Sequence, residues 1–243
     1  MSTELDETAG IMLVEREALV QRIPGLLDGL AAADRTRLLG IGQKRLFETD
    51  QPLFRQGDPH DGIFLIETGR IRSYYTAPSG REVTLAYWFA GNFVGAPEMF
   101  GGGTHMWASS AVQRSSTIFL PGVELRRLAL ACAPIAVALL DALSFKARCY
   151  TAMAQMLGTR SATERLEHLL AFLAAAYGLK ESDGVVIAAS FTHADLASLI
   201  GATRQWVTVQ LKRLQKRGIV RYNRGLLVIR DVGSLGLKDL GLD

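Results

Sequence analysis

The most one-sided run of ionisable residues in this chain lies between Gly201 and Arg230. It holds eight basic side chains and no Asp or Glu, the eight being Arg204, Lys212, Arg213, Lys216, Arg217, Arg221, Arg224 and Arg230. A surface of one sign attracts the phosphates of nucleic acid through counterion release. The alternative is a solvated basic face that serves only solubility. The absence of any acid over thirty residues favours nucleic-acid binding.

Two short helices separated by a glycine are predicted where this run begins. Thr192 and Asp195 have the spacing of a capping box, so we expect a helix to begin at His193 and to end at Gly201. Thr203 then caps a second helix that runs from Arg204 to about Gln215. Its inward face carries Val207, Leu211 and Leu214, and its outer face Arg204, Gln205, Thr208, Lys212 and Arg213. This arrangement is typical of a helix-turn-helix that reads the major groove.

A β-hairpin is predicted after the second helix. Residues 218–229 alternate in part between apolar and polar side chains, and Asn223 to Gly225 supplies the turn. The hairpin would form the wing of a winged helix-turn-helix.

These residues resemble a known family. The pattern D-L-A-x-x-I-G-x-[ST]-R-x-x-V, which runs here from Asp195 to Val207, is similar to that of the cyclic-AMP receptor protein/fumarate-nitrate regulator superfamily of bacterial transcription factors. The resemblance implies an α+β protein with an N-terminal cyclic-nucleotide-binding-like β-roll, a long central dimerisation helix and a C-terminal winged helix-turn-helix. It extends to Gln56-Gly57-Asp58-Pro59 and Gly69-Arg70-Ile71, and so covers nearly all of the chain beyond the first ten or so residues.

DNA contacts follow from the resemblance residue by residue. The predicted contacts are Thr192, Thr203, Arg204, Gln205, Thr208, Lys212 and Arg213. Arg204, Gln205 and Thr208 would reach base edges, and an Arg there reads guanine through two hydrogen bonds. Gln205 stands where relatives usually have Glu, and Val209 where a further Arg is common. The operator should therefore depart from the usual half-site of the family.

The region from Lys44 to Pro121 is predicted to be an antiparallel all-β domain. Short β-branched and aromatic runs (63–66, 71–75, 83–88, 111–112 and 117–120) alternate with glycine turns. We expect three parts. Residues 1–133 would form N-terminal helices and the β-roll sensor, and residues 134–158 the central helix, with a hinge at Leu157 to Thr159. Residues 159–243 would form the DNA-binding domain.

A heptad seam follows Pro134. Its residues are Ala136, Leu140, Leu143, Ala147, Tyr150, Ala154 and Leu157, and none is charged. The spacing predicts a helix that pairs with its own copy, and the alternative is a helix buried within one subunit. A dimer would place two recognition helices on a pseudo-palindromic operator with half-sites ~34 Å apart.

The β-roll pocket departs from that of cyclic-AMP-binding relatives. In those relatives a Glu, an Arg and a Ser hold the phosphate, and the matching positions here are Ala96, Met106 and Trp107. A buried phosphate without these partners would cost several kcal/mol, so we expect an effector other than cyclic AMP. The predicted pocket residues are Gly95, Ala96, Pro97, Met106, Trp107, Tyr150 and Thr151, which suit a small apolar or aromatic ligand. The alternatives are that these side chains fill the pocket and that the protein binds DNA without an effector.

Haem is the alternative cofactor, and otherwise no cofactor or metal is expected. His60, His105 and His168 are the candidate nitrogen ligands, with Cys132, Cys149 and Met106 as second ligands. Two distant cysteines cannot supply the four thiolates of an iron-sulfur cluster, so both are interpreted as packing residues in helices.

The composition of the chain narrows the classes of protein to which it can belong. The 243 residues are 49% hydrophobic and 21% charged with a net charge of +3, which suits two compact domains with locally concentrated basicity. The enzyme motifs G-x-S-x-G, P-loop and H-E-x-x-H are missing from the sequence, so we expect no enzyme. An acidic N-terminus and no long apolar run predict a cytoplasmic protein without a membrane partner. RNA polymerase would be a further partner if the protein is an activator.

Overall fold

The computed structural model describes residues 25–181, 184–187, 191–223, 226–231 and 235. They form two compact units that divide between Tyr150 and Thr151, and each unit is described by itself. The part of the predicted N-terminal helical region that precedes Gly25 lies outside these residues. The part that is described holds helix α1 (Ala32–Gly40).

Two four-stranded antiparallel sheets make up most of the first unit. One has the strand order β1-β8-β3-β6 and the other β2-β7-β4-β5. The strands are β1 (Gln43–Phe47), β2 (Pro52–Phe54), β3 (Gly62–Thr68), β4 (Arg70–Thr76), β5 (Glu82–Phe89), β6 (Phe93–Val94), β7 (Ala108–Ala111) and β8 (Ser115–Pro121). Four of the five predicted strand runs lie within strands, and the fifth, 111–112, only overlaps the last residue of β7, so the all-β interpretation of this region is confirmed with one strand misplaced.

Helices cover the first sheet. Helix α2 (Gly122–Ala131) leads into the long helix α3 (Ala133–Thr159). The core between sheet and helices contains Ile63, Leu65 and Leu120 from the strands, Leu38 from α1, Leu125 from α2, and Ile135 and Leu139 from α3. These side chains are at most 2% exposed, so they fix the N-terminal half of α3 against the β-roll.

The break after the long helix lies later than predicted. Helix α3 continues through Leu157 and Gly158 to Thr159, so the expected hinge at Leu157 to Thr159 is wrong. The chain leaves the helix at Arg160, and Ser161 begins helix α4 (Ala162–Tyr177) with a reciprocal cap. Glu164 N donates to Ser161 Oγ (3.3 Å), and Ser161 N donates to Glu164 Oε2 (2.6 Å).

The described part of the second unit combines the end of α3 and three further helices with a four-stranded sheet. After α4 come β9 (Gly178–Glu181), β10 (Gly184–Ile187), α5 (His193–Ile200), α6 (Arg204–Lys216), β11 (Val220–Asn223) and β12 (Leu226–Ile229). The sheet order is β11-β12-β10-β9, and β11 pairs with β12 as the predicted hairpin. The sequence did not predict β9 and β10.

No single helix of the described residues is long and apolar enough to cross a bilayer, and only α2 and α3 together, bent by 120° at their junction, reach that length and composition.

Candidate nucleic-acid interface and ligand site

Helix α5 begins and ends as its local chemistry requires. Asp195 N donates to Thr192 Oγ1 (3.1 Å), and Thr192 N donates to Asp195 Oδ2 (2.8 Å), which completes the predicted capping box. Gly201 ends the helix in the left-handed conformation, with φ of 64°. The Thr192 hydroxyl is therefore occupied by the cap, although the side chain itself is exposed.

Helix α6 presents the predicted outer face. Thr203 caps it by accepting from Trp206 N (3.2 Å), and Val207, Leu211 and Leu214 are buried. The exposed side chains are Thr203, Arg204, Gln205, Val209, Lys212 and Arg213, while Thr208 is half-buried. Within the described residues the guanidinium of Arg204 makes no hydrogen bond or ion pair, and neither does the amine of Lys212. Both cations are thus available to an anionic partner.

A contact between the two helices was missed by the sequence reasoning. His193 Nδ1 lies 2.8 Å from Thr208 Oγ1. Thr208 Oγ1 donates its own proton to Arg204 O (2.9 Å), so the histidine nitrogen is the donor in this contact. The hydrogen bond ties the first turn of α5 to the middle of α6 and leaves Thr208 only acceptor capacity toward a base edge. The polar pair fifteen residues apart was the only signal in the sequence.

An aromatic cluster lies in the first unit, at the predicted effector region. The Tyr150 ring is 5.6 Å from the Trp107 ring and 6.2 Å from the Trp88 ring, and both contacts are edge-on. Trp88 is buried, and its Nε1 donates to Ser73 Oγ (3.2 Å). Burial raises the pKa of the Tyr150 phenol. Trp88 was not among the predicted pocket residues.

The other predicted pocket residues differ widely in exposure. Gly95 is buried at φ of 103°, and a Cβ there would lie 2.8 Å from Gly62 O. Ala96 and Trp107 are half-buried, Pro97 and Thr151 are exposed, and Met106 is 60% exposed. The described residues therefore bring Trp107 and Tyr150 together but do not enclose Met106. A ligand site made of all seven stays a prediction.

Lys146 of α3 is a second residue that the sequence reasoning missed. It is only 4% exposed, and its Nζ lies 3.2 Å from the Trp88 ring centroid and 4.7 Å from that of Phe93. Burial lowers the pKa of this amine from 10.5 to about 7, with Cys149 acting weakly in the opposite direction. The space beside it is about 10 Å³, too small for any organic ligand. Its sequence signal was a lysine on the same helix face as Ile135, Leu139 and Cys149.

The candidate haem ligands have packing roles in the first unit. His60 Nε2 donates to Gly95 O (2.5 Å), and the His105 ring stacks on Phe54 with centroids 3.7 Å apart. The two imidazoles lie 4.1 Å apart, and both are buried. Burial and the neighbouring His60 lower the pKa of His105 from 6.5 to about 4, so this ring is neutral at physiological pH. His168 is buried in the second unit.

The cysteines are also buried. Cys149 lies in α3 and donates its thiol proton to Phe145 O (2.8 Å), whereas Cys132 ends α2 rather than lying within a helix.

Two sequence-family profiles match the chain. The profile of the cyclic nucleotide-binding domain matches residues 44–131, which hold the two sheets of the first unit. The profile of the Crp-like helix-turn-helix domain matches residues 164–236, which hold α5, α6 and the hairpin.

Similar proteins span nearly the same length. The cyclic AMP receptor protein of Thermus thermophilus is 27% identical over 221 residues, covering 89% of this chain and 97% of that protein. The global nitrogen regulator of Synechococcus elongatus is 27% identical over 203 residues, covering 79% and 90%.

Solved structures share the fold. The c-di-GMP-responsive global regulator CLP of Xanthomonas campestris has a TM-score of 0.73 at 22% identity, covering 83% of this chain and all of that one. CprK complexed with OCPA has a TM-score of 0.68 at 16% identity, covering 95% and 99%.

A cyclic-nucleotide-binding-type β-domain joined to a Crp-like helix-turn-helix defines a class of transcription regulators. This chain belongs to that class, and within it to the cyclic-AMP receptor protein/fumarate-nitrate regulator (CRP/FNR) superfamily.

Proposed function

We propose that the protein is a sequence-specific DNA-binding regulator that acts as a homodimer on a pseudo-palindromic operator. The outer face of α6 carries the proposal: it exposes Arg204, Gln205 and Lys212 side by side on a helix whose position is fixed by a capped turn and a buried inner face. Val209 is 47% exposed on the same helix, which suits apolar contact with a thymine methyl group.

The exposure pattern of α3 supports the dimer. None of the seven seam residues is buried in the protomer, and Leu140 is 61% exposed, although the same helix buries Ile135, Leu139, Lys146 and Cys149. Beside the seam, a groove of about 670 Å³ is bordered by Leu130, Leu139, Leu140 and Leu143. An apolar face of this kind favours burial against a second copy. Two copies of α6 would then meet the DNA at half-site spacing.

Base reading and phosphate attraction are separable by mutation. We expect Arg204→Ala to remove sequence discrimination worth about 1 to 3 kcal/mol per half-site while leaving random-DNA binding largely intact. Lys212→Ala should weaken binding to every duplex alike and lower the salt slope by about 1. Both losses are measured by titrating an operator, obtained by selection from random duplexes with the purified protein, and a scrambled duplex at several salt concentrations. Equal losses on both duplexes for both variants would refute this division of roles.

We also propose that the β-roll responds to a small apolar or aromatic effector instead of a cyclic nucleotide. Ala96, Met106 and Trp107 offer a cyclic phosphate neither a cation nor a hydroxyl, whereas the rings of Trp88, Trp107 and Tyr150 offer an aromatic surface. Because Tyr150 lies on α3, a ligand against its ring would alter the packing of that helix against its partner. The ligand would thereby shift the population between conformations of the dimer that differ in the spacing of the recognition helices.

Ligand binding at the aromatic cluster should be visible in the tryptophan emission. A Trp206→Phe background leaves Trp88 and Trp107 as the reporters. A small aromatic acid at 100 times its Kd should change their emission and stabilise the fold by about 2.7 kcal/mol. Cyclic AMP at the same concentration should do neither. Emission and thermal midpoint unchanged by every aromatic acid would show that the side chains only fill the pocket.

A further inference from the structure

A groove adjoins the outer face of α6 and shares Arg213 with it. Here α6 meets α4, and the two helices border a groove of about 430 Å³, a volume within the range of small binding sites. Leu166 and Leu214 are buried at its apolar floor, and its rim carries Arg213, Lys216 and Arg217. We call this the flank groove.

The charges of the flank groove are unbalanced. Arg213, Lys216 and Arg217 are all exposed, and none forms an ion pair with another residue that the structure describes. Glu167 is the carboxylate at the rim, and burial raises its pKa despite the opposing effect of Arg217. An apolar floor under three cations and a single carboxylate suits an acidic peptide with apolar side chains.

The first 24 residues of the same chain have that composition. Their five acids, Glu4, Asp6, Glu7, Glu15 and Glu17, outnumber the two basic residues Arg16 and Arg22, and the four apolar residues 11–14 lie between Glu7 and Glu15. We propose that this N-terminal acidic segment binds in the flank groove of its own chain. Twenty-four residues span roughly 80 Å when fully extended. Tethering supplies an effective concentration on the order of millimolar, so a weak contact suffices.

The contact would compete with DNA, a consequence that rests on the proposed function. While carboxylates cover Arg213, Lys216 and Arg217, these side chains cannot neutralise DNA phosphates, so the counterions of those phosphates are not released. The segment would therefore lower the affinity for random duplex and the salt slope, and a specific operator would have to displace it.

Zero-length carbodiimide cross-linking of the full-length protein tests the contact without DNA. The reagent joins carboxylates to amines that touch. Lys216 lines the groove, whereas the exposed Lys44 lies on β1 of the first unit and serves as the reference amine. We expect products between residues 4–17 and Lys216 in clear excess over those with Lys44. Arg217→Gln should reduce the excess, and mixing isotopically labelled with unlabelled protein separates products within one chain from those between chains.

Duplex titration tests the competition. The full-length variant Asp6→Asn, Glu7→Gln, Glu15→Gln should bind random duplex about tenfold more tightly, with a salt slope steeper by about 2 to 3. The matched control, Asp50→Asn, Glu48→Gln, Glu124→Gln, changes the net charge equally at exposed positions of the first unit. It should show a much smaller gain.

Three results would overturn the inference. They are cross-linking of Lys216 no greater than that of Lys44, products found only between chains, and equal gains in duplex affinity for the two triple variants. If the cross-links form as expected but no protein variant binds duplex, the proposed DNA-binding function fails and the docked segment stands.

Discussion

Leu140→Glu should convert the proposed dimer to a monomer of 26.5 kDa and abolish tight operator binding. In a paired seam, Leu140 of one protomer faces the same position of its partner, so the variant brings two carboxylates together in an apolar interface. An uncompensated buried charge costs about 3 to 5 kcal/mol, which weakens association at least a hundredfold. Because Leu140 is 61% exposed in the protomer, the fold of each subunit should survive. Light scattering gives the mass and duplex titration the affinity.

Leu46→Glu is the matched control for this substitution. Leu46 lies on β1 and is 58% exposed, so the same change is made at a similar exposure on another surface. This variant should remain dimeric and bind DNA as the unmodified protein does. A dimeric Leu140→Glu protein would show that α3 does not form the interface.

Helix ends in the second unit could be predicted to the residue because their signals are local. The cap of Thr192 by Asp195 and the left-handed turn at Gly201 involve residues that are adjacent in sequence. Such interactions depend little on what the rest of the chain does. For the same reason the start of α6 after Thr203 was confirmed, and its end at Lys216 lies one residue beyond the predicted one.

Strand β1 could not be predicted from its own residues. It lies at the edge of its sheet and buries only Phe47 of its five residues, so it lacks the alternation that marks a half-buried strand. Strand β2 has three residues and begins with Pro52. Their partners β8 and β7 lie more than fifty residues away, and it is these pairings that make them strands.

The predicted hinge is misplaced because Gly158 does not end the long helix. A glycine inside a helix costs about 1 kcal/mol relative to alanine, which the surrounding turns of a 27-residue helix tolerate. The Ser161 cap of the next helix is the stronger signal, and it places the break at Arg160.

The candidate site residues also differ in whether local sequence or tertiary packing determines them. The outer face of α6 follows from helical periodicity, so the sequence sufficed to predict which side chains it exposes. The aromatic cluster joins Trp88 of β5, Trp107 of the loop before β7 and Tyr150 of α3. Which of these rings meet depends on tertiary packing over more than forty residues of sequence, and so does the 60% exposure of Met106.

The buried amine of Lys146 leads to the second large expected effect, a gain in stability for Lys146→Met. The amine pKa is about 7 in the folded protein and 10.5 ordinarily, so between these values the unfolded chain binds a proton that the folded one lacks. Stability therefore rises from pH 7 to 10.5 and is lost as pH falls through this window. Methionine fills similar space with no charge to bury. We expect it to stabilise the fold by about 1 to 4 kcal/mol at pH 7, the lost cation–π contact with Trp88 offsetting part of the gain.

Urea unfolding at pH 7, 8 and 9 measures this effect through Trp88 and Trp107 in the Trp206→Phe background. The upper limit avoids the Cys149 thiol, whose pKa burial raises from 9.0 to about 12 and which therefore destabilises the fold above pH 9. The advantage of Lys146→Met over the parent should shrink by about 1 kcal/mol per pH unit. The unfolded parent keeps its extra proton in this range, and holding that proton becomes less favourable as the pH rises, so the folded parent gains stability. Lys212→Met, at an exposed lysine, should show neither the gain nor the pH dependence. A difference between Lys146→Met and the parent that stays constant from pH 7 to 9 would mean that the amine is fully protonated in the folded protein, held by the rings of Trp88 and Phe93.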